Sequence, residues 1–324
     1  MLRHMRVHLL TTIENRADYR AMARLWAFSI RRRAGALADA PISIACNESV
    51  DEGFAREMKA RYGAAVTRTD RISRTMRYVN KYNALSLPEI AGADWVMFFD
   101  ADTVVVDDLG PLAGMLSSSE ANVWGVGELP CDRVFGLERL YERFGRVPRA
   151  RLAEYEHPWN PLGLAYFNGG VWLVRGSQVL ALRERVVALT LELFKSMRAS
   201  SVNPLHWARV QWNRQVYKSR RAKRLVIEPY FPKFYSDQMA IAIAAASLGW
   251  KVGNLPRSYN WIFDSPEQGE NYPIRVLHYV NAMYPLERGA LLEGEWAGRY
   301  AVSGEPGKAA LAEVWRQYRA GADQ

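Results

Sequence analysis

The sequence predicts an α/β fold with a mostly parallel central sheet, and three observations support this. Short apolar runs alternate with segments of helical spacing through the first hundred residues, a pattern typical of βαβ units. The chain of 324 residues is 49% hydrophobic and has eleven tryptophans, which is enough for a large packed core. Its two cysteines exclude a disulfide scaffold and indicate a reducing compartment.

The first half of the chain is predicted to form strand–helix pairs, as in a half-Rossmann nucleotide-binding unit. Strands are predicted at residues 8–13, 41–46, 65–68 and from Trp95 onward. Helices are predicted at residues 15–33, Glu52–Tyr62 and 76–90. The first of these helices is indicated by the helical spacing of Met22, Leu25, Trp26 and Ile30.

The second half is less regular. Strands are predicted at residues 123–126, 164–174 and 274–280, and helices at residues 177–198, 234–248 and 308–318. The last helix is amphipathic, and its apolar face carries Leu311, Val314, Trp315 and Tyr318. We expect that face to pack on the protein's own domain rather than on a membrane.

Two carboxylates, Asp100 and Asp102, follow the apolar run Trp95–Phe99 and are separated by Ala101. The run is too short for a buried helix and predicts a buried strand. Ligands of open α/β sheets bind at the carboxyl ends of the strands. Because two like charges are costly to bury together, the pair predicts a divalent metal at the sheet edge with an anion beyond it.

Four further segments are candidates for chemistry. His278, near the end of an apolar strand, is the best third metal ligand among five histidines, although a core histidine is the alternative. Lys81 precedes the Asp100 strand, where an ammonium could contact a diphosphate. The glycines of Asn168-Gly169-Gly170 indicate close backbone approach or a bulge. Asp237-Gln238 begins a helix and offers a carboxylate to a sugar hydroxyl or only to the helix dipole.

These motifs, in this order along the chain, resemble the family-eight glycosyltransferases, which have the GT-A fold. The similarity covers roughly residues 5 to 285 through short motifs. They are Leu10-Thr11-Thr12, Lys81, Phe99-Asp100-Ala101-Asp102-Thr103-Val104, Tyr166-Phe167-Asn168-Gly169-Gly170-Val171, Ser236-Asp237-Gln238, Leu255-Pro256 with Tyr259-Asn260-Trp261, and Leu277-His278-Tyr279.

The resemblance implies a retaining transfer of a hexose from a UDP-sugar to a glycan or glycolipid acceptor, as in lipopolysaccharide biosynthesis. It implies that Asp100, Asp102 and His278 coordinate Mn²⁺ or Mg²⁺. Other site residues fall into two implied groups. Those expected to contact the donor are Thr11, Thr12, Tyr19, Lys81, Ala101 and Gly169; those expected to surround the transferred sugar and incoming hydroxyl are Asn168, Asp237 and Gln238.

The same resemblance suggests a division of the chain. Residues 1–285 would form the glycosyltransferase domain, with a nucleotide-binding half at 1–110 and a sugar and acceptor half at 111–285. Residues 286–324 would form a C-terminal extension that contains the amphipathic helix.

The net charge of +9 is concentrated in one segment. Its basic residues, with no acid between them, are Arg209, Arg214, Lys218, Arg220, Arg221, Lys223 and Arg224. The segment indicates either a solvated face or peripheral contact with an anionic membrane. With no signal peptide and no span of sufficient length, we expect a cytoplasmic protein, at most resting on the inner face of the membrane.

Two other functions are open on the sequence. The motif around Asp100 also fits a haloacid-dehalogenase-like phosphohydrolase with Asp100 as nucleophile, although that motif normally lies in the first strand. The basic segment would suit a nucleic-acid-binding protein, but the chain carries no recognisable binding module. We therefore expect no nucleic-acid partner.

Overall fold

A computed structural model of the chain describes residues 5–127, 137–144, 164–202, 236–262, 273–279 and 294–322. The strands are β1 (Val7–Glu14), β2 (Ile42–Asn47), β3 (Ala64–Thr69), β4 (Trp95–Phe99), β5 (Thr103–Val105), β6 (Val123–Gly127), β7 (Phe167–Arg175), β8 (Val252–Leu255), β9 (Trp261–Ile262) and β10 (Val276–His278). The α-helices are α1 (Ala17–Arg33), α2 (Glu52–Tyr62), α3 (Leu112–Ser117), α4 (Leu137–Phe144), α5 (Val179–Val202), α6 (Ser236–Ser247), α7 (Glu295–Ala301) and α8 (Pro306–Ala322).

The main sheet has seven strands in the order β3-β2-β1-β4-β7-β6-β8. Strand β7 pairs antiparallel with both of its neighbours, and every other pairing is parallel. The predicted mostly parallel α/β sheet is therefore confirmed. The strand order reverses between β1 and β4, so the carboxyl ends of these two strands form the crevice in which such sheets bind ligands.

The antiparallel direction of β7 brings its beginning to the same sheet edge as the end of β4. Phe99 pairs with Val171, and the Asp100 N–H donates to the Gly170 carbonyl at 2.7 Å. Two segments that are distant in sequence, one ending in acids and the other beginning with glycines, are thereby fixed side by side.

A second, three-stranded sheet has the order β5-β10-β9. Here β10 pairs antiparallel with β5, and Thr103 lies opposite His278. The apolar stretch from Trp95 to Val106 is thus divided between two sheets at Asp100–Asp102. This division places the acid pair at the junction of the sheets.

Apolar side chains cover both faces of the main sheet. One face packs against α1, α2 and α8 through residues such as Trp26, whose ring lies 5.7 Å from that of Phe99. The other face packs against α5 and α6, and there Phe98 stacks on Trp172 with ring centroids 5.0 Å apart. Alternate residues of β4 therefore anchor the strand to both layers.

The segment 76–90 is helical as predicted, but it forms two 3₁₀ helices, Arg77–Ser86 and Pro88–Ile90, rather than an α-helix. Asn80 donates to the Ser73 carbonyl, and Asn83 donates to the Asp70 carbonyl. Side chains that bond to nearby backbone compete with α-helical hydrogen bonding, and Pro88 removes a further donor. The basic segment 209–224 lies outside the described residues.

The C-terminal amphipathic helix is confirmed as α8. Leu311 and Val314 are fully buried, and Tyr318 contacts Phe28 of α1 with ring centroids 5.5 Å apart. The apolar face expected from the sequence therefore packs on α1. Among the helices that the structure describes, none is long and apolar enough to cross a bilayer.

Candidate metal centre

Asp100, Asp102 and His278 converge at the carboxyl edge of the sheet. Each offers one ligand atom, and these three atoms all lie within 4.8 Å of one another. The Nε2 atom of His278 lies 3.3 Å from Asp102 Oδ1. The predicted association of these three residues is thus observed.

Backbone pairing explains how residues so far apart in sequence meet. After β4 the chain turns, and both the N–H and the hydroxyl of Thr103 donate to the Asp100 carbonyl. Strand β5 then pairs with β10, and the Tyr279 N–H donates to the Asp102 carbonyl at 3.0 Å. The register of this small sheet sets the position of His278 beside the acid pair.

The three side chains have unequal electrostatic environments. Burial raises the pKa of Asp100, only partly opposed by the Lys81 charge. Burial also acts to raise the pKa of Asp102, but the charge and hydrogen bond of His278 reverse this and lower it. Burial acts to lower the pKa of His278, but the charge and hydrogen bond of Asp102 together with the Asp100 charge outweigh it, so the pKa is raised. A set of two carboxylates and an imidazole suits Mn²⁺, and this donor set therefore fits a divalent metal.

Lys81 connects this centre to a second acidic group. Its Nζ lies 3.3 Å from Asp100 Oδ1, 2.7 Å from Asp237 Oδ2 and 3.3 Å from the Gly169 carbonyl. Burial acts to lower the pKa of Lys81, but the two carboxylates raise it, so the side chain is a permanent cation. One ammonium thus balances acids from two parts of the chain.

The first turn of α6 contributes Asp237 and Gln238. The Tyr82 hydroxyl donates to the Asp237 carbonyl at 2.8 Å, and the Tyr166 hydroxyl donates to Gln238 Oε1 at 3.0 Å. Asp237 Oδ1 is buried without a hydrogen-bond partner in the structure as described. This carboxylate therefore has one oxygen held by Lys81 and one oxygen available to a ligand hydroxyl.

The glycines at the start of β7 are required by close contacts, as the sequence indicated. A Cβ on Gly169 would lie 2.8 Å from Lys81 Nζ, and one on Gly170 would lie 2.4 Å from His278 Nδ1. Asn168 Oδ1 accepts from the Gly170 N–H at 2.8 Å, which shapes this turn of backbone. A glycine at position 170 lets the His278 ring approach the strand this closely, and one at position 169 leaves room for the Lys81 ammonium.

The remaining predicted donor-binding residues lie near this edge in different environments. The Thr12 hydroxyl donates to the Lys81 carbonyl at 2.8 Å, whereas Thr11 is fully buried in β1. Tyr19 is in the first turn of α1, and burial together with the Asp102 charge raises its pKa to about 12. Ala101 is 6% exposed between the two acids. A role for these residues in nucleotide binding stays a prediction.

Sequence reasoning assigned no individual role to Tyr82, Tyr166 or Asn260, and for Gly170 it predicted a close contact without its partner. Tyr82 and Tyr166 hold the first turn of α6, and Gly170 makes room for His278. Asn260 is 4% exposed beside the same glycine. Tyr166, Gly170 and Asn260 lie within motifs already singled out, so membership of those motifs was the available signal. Nothing local in the sequence distinguishes Tyr82 from an ordinary core aromatic residue.

In fold, the chain is similar to the galactosyltransferase LgtC, solved in complex with donor and acceptor sugar analogues. The two are 16% identical, the match covers 96% of this chain and 95% of LgtC, and the TM-score is 0.51. The glycosyltransferase GlyE of Streptococcus pneumoniae TIGR4 matches at 14% identity and a TM-score of 0.47, over 97% of this chain and 60% of GlyE. None of the curated protein sequences matches the chain.

The model of the Rhodobacterales glycosyltransferase domain matches residues 10–249, which include most of β1, the acid pair, the two glycines and α6. The α/β architecture with its mostly parallel sheet is that of the GT-A glycosyltransferases such as LgtC. The protein is a glycosyltransferase, and the chain belongs to the Rhodobacterales glycosyltransferase domain family.

Proposed function

We propose that this glycosyltransferase is metal-dependent and transfers a hexose from a UDP-sugar to a glycan or glycolipid acceptor, with retention of anomeric configuration. The observation that carries the proposal is the convergence of Asp100, Asp102 and His278 within 4.8 Å at the sheet edge. The Lys81–Asp237 pair adjoins this cluster. The similarity in fold to LgtC, a galactosyltransferase solved with sugar analogues, supports the substrate class.

In this proposal Asp100, Asp102 and His278 hold Mn²⁺, or Mg²⁺ in its place. A bound divalent ion would act as a Lewis acid that offsets negative charge on the departing nucleoside diphosphate. The Lys81 ammonium, 3.3 Å from Asp100, adds a fixed positive charge on the same side.

The groups around the transferred sugar come from β7 and α6. Asp237 and Gln238, which lie beside Gly169, contact hydroxyls of the sugar or of the acceptor together with Asn168, the residue before that glycine. Lys81 fixes the orientation of the Asp237 carboxylate through the 2.7 Å contact. Thr11, Thr12, Tyr19, Ala101 and Gly169 complete the donor site. For retention, the acceptor hydroxyl attacks the face from which the diphosphate leaves.

The acceptor side of the proposal includes location. We place the protein in the cytoplasm, with peripheral contact to an anionic membrane through the basic residues between Arg209 and Arg224, and with an acceptor of the lipopolysaccharide type. Basic clusters bind anionic headgroups with about 1 kcal/mol for each charge near the surface.

The phosphohydrolase alternative is not supported. The chain belongs to a glycosyltransferase family, and the Asp100 strand is the fourth in sequence rather than the first. The Asp100 carboxylate faces Lys81, Asp102 and His278, as expected for a ligand of a cation. A test for hydrolysis of a generic phosphomonoester should show negligible activity.

The direct test is a screen of nucleotide sugars by thermal shift, with and without Mn²⁺. Ligand at 100 times its dissociation constant adds about 2.7 kcal/mol, which raises the melting temperature by a few degrees. We expect one UDP-sugar to stabilise the protein only when Mn²⁺ is present. Asp102→Asn and His278→Ala should each abolish the metal-dependent part of the shift. If no UDP-sugar stabilises the metal-loaded protein, the proposed donor class is wrong.

A further inference from the structure

Asn260 is a buried amide beside the candidate metal centre. It lies between a 3₁₀ turn, Arg257–Tyr259, and strand β9, and it is 4% exposed. Both its Oδ1 and its Nδ2 are buried with no hydrogen-bond partner among the described residues. Leaving a buried polar group unpaired costs about 1–3 kcal/mol, so such an amide calls for an explanation.

A third unpaired atom, in the His278 ring, lies next to this amide. His278 Nδ1 is buried without a hydrogen-bond partner in the part of the chain that the structure describes. The place where a Cβ on Gly170 would lie is 2.4 Å from His278 Nδ1 and 2.7 Å from Asn260 Oδ1. The acceptor and the ring nitrogen therefore border the same small space, which is left open because residue 170 is glycine.

The two faces of the His278 ring have different neighbours. Its Nε2 faces Asp102 at 3.3 Å and belongs to the candidate metal centre. Its Nδ1 faces Gly170 and Asn260. A histidine that binds a metal through one nitrogen carries its proton on the other, and that N–H is normally held by an acceptor that fixes the tautomer and the ring orientation.

We propose that Asn260 is a positioning residue for His278. Its Oδ1 borders the same space as Nδ1, and when Nε2 binds a metal it would accept a hydrogen bond from Nδ1–H that holds the imidazole in the tautomer whose Nε2 lone pair is directed at the metal. Asn260 itself does not touch the metal. The inference rests on the proposed metal-dependent function, and it explains why an amide is buried here and why residue 170 lacks a side chain.

The test compares Mn²⁺ affinity between variants, with free Mn²⁺ counted by electron paramagnetic resonance in the absence of any sugar donor. Asn260→Leu keeps the shape but removes the acceptor, and we expect it to bind Mn²⁺ about 10- to 100-fold more weakly. Asn260→Asp keeps an acceptor oxygen and should bind at least as tightly as the wild type. Should Asn260→Leu not fold, Asn260→Ala gives the same comparison without the bulk.

A matched control is Asn122→Leu. Asn122 Oδ1 accepts from the Lys251 N–H at 2.9 Å at the opposite edge of the sheet, so its loss should lower stability without changing Mn²⁺ affinity. A double-mutant cycle gives the second readout: in a His278→Ala background, whose residual Mn²⁺ binding is measured at raised Mn²⁺ concentration, Asn260→Leu should cause no further loss.

The outcomes separate the two proposals. If the wild type binds Mn²⁺ and Asn260→Leu binds it equally well, the positioning role is overturned and the metal site stands. An equal loss with and without His278 would also overturn it, because Asn260 would then act by another route. If the wild type binds no Mn²⁺, the metal-dependent function fails and this inference fails with it.

Discussion

The Lys81 ammonium lies 2.7 Å from the carboxylate of Asp237, and both side chains are almost fully buried. The pair joins the 3₁₀ helix Arg77–Ser86 to the first turn of α6. The two residues lie more than 150 positions apart in the sequence. Since Lys81 is also 3.3 Å from Asp100, a single cation links the candidate metal centre to Asp237. The electrostatics of the two parts of the site are therefore coupled.

Removal of this cation should destabilise the fold. Lys81→Met would leave Asp237 buried with no counter-charge, and breaking a buried pair in this way costs about 3–5 kcal/mol. The measurement is urea unfolding at pH 7 in the presence of EDTA. Lys251→Met is the control, because the Lys251–Glu120 pair is exposed to solvent and its loss should change the stability little. Equal losses in the two variants would show that Lys81 has no special structural role.

Gly170→Ala should disrupt the metal centre. The new Cβ would meet His278 Nδ1 at 2.4 Å and Asn260 Oδ1 at 2.7 Å, so the imidazole or the strand must shift. We expect Mn²⁺ binding to weaken at least tenfold and the fold to lose about 1–3 kcal/mol, as for other overpacked sites. Isothermal titration with Mn²⁺ and urea unfolding measure the two effects.

The matched control for that substitution is Gly114→Ala in α3, where a Cβ meets nothing within 4 Å. Alanine in a helix is favoured over glycine by up to about 1 kcal/mol, so this variant should be slightly more stable and bind Mn²⁺ normally. Unchanged Mn²⁺ binding in Gly170→Ala would contradict the close approach seen at β7.

Stability should depend on the protonation of His8. Burial lowers the pKa of this histidine, whose Nε2 lies 2.9 Å from Ser43 Oγ. The neutral ring is therefore favoured in the folded state. As the pH falls below about 6.5, the unfolded chain binds a proton that the folded protein resists, and the free energy of unfolding decreases.

We expect the free energy of unfolding to fall less between pH 7.5 and pH 5.0 in His8→Gln than in the wild type. Urea unfolding of both proteins at each pH measures this difference. His278 acts with the opposite sign: its pKa is raised, so its contribution is fully present below pH 6.5 and is lost as the pH rises through the folded value. If the difference in unfolding free energy between the wild type and His8→Gln does not change with pH, His8 does not contribute to the pH dependence of stability.

The C-terminal helix should unfold together with the rest of the domain. Leu311 is fully buried in the same apolar cluster as Trp26 of α1. Leu311→Ala should lower the free energy of unfolding by about 2–5 kcal/mol. Circular dichroism and tryptophan fluorescence should still report one and the same unfolding transition. Val302→Ala, at a position 86% exposed, should have no measurable effect. Two separate transitions would show that residues 286–324 form an independent extension.

The sequence by itself located most of the elements. Apolar periodicity is a local property, and it identified β1, β2, α1 and α2 within about two residues of their observed ends. The position of Asp100 and Asp102 after a buried strand is also a local signal. It indicated a cation site because the cost of burying two like charges depends on their immediate surroundings. The glycines after Asn168 likewise indicated a close contact without naming its partner.

The tertiary structure decided which residues meet at that site. The composition of its strand does not specify the pairing of His278 opposite Thr103, which depends on the register between β5 and β10. The antiparallel course of β7 and the reach of Lys81 to both Asp100 and Asp237 are also long-range features. Sequence patterns report what each segment buries, whereas pairing and charge compensation depend on which segments the whole chain brings together. The acid pair and its candidate third ligand His278 were therefore visible in the sequence, whereas the contacts that join them to one another and to Lys81 and Asp237 were visible only in the fold.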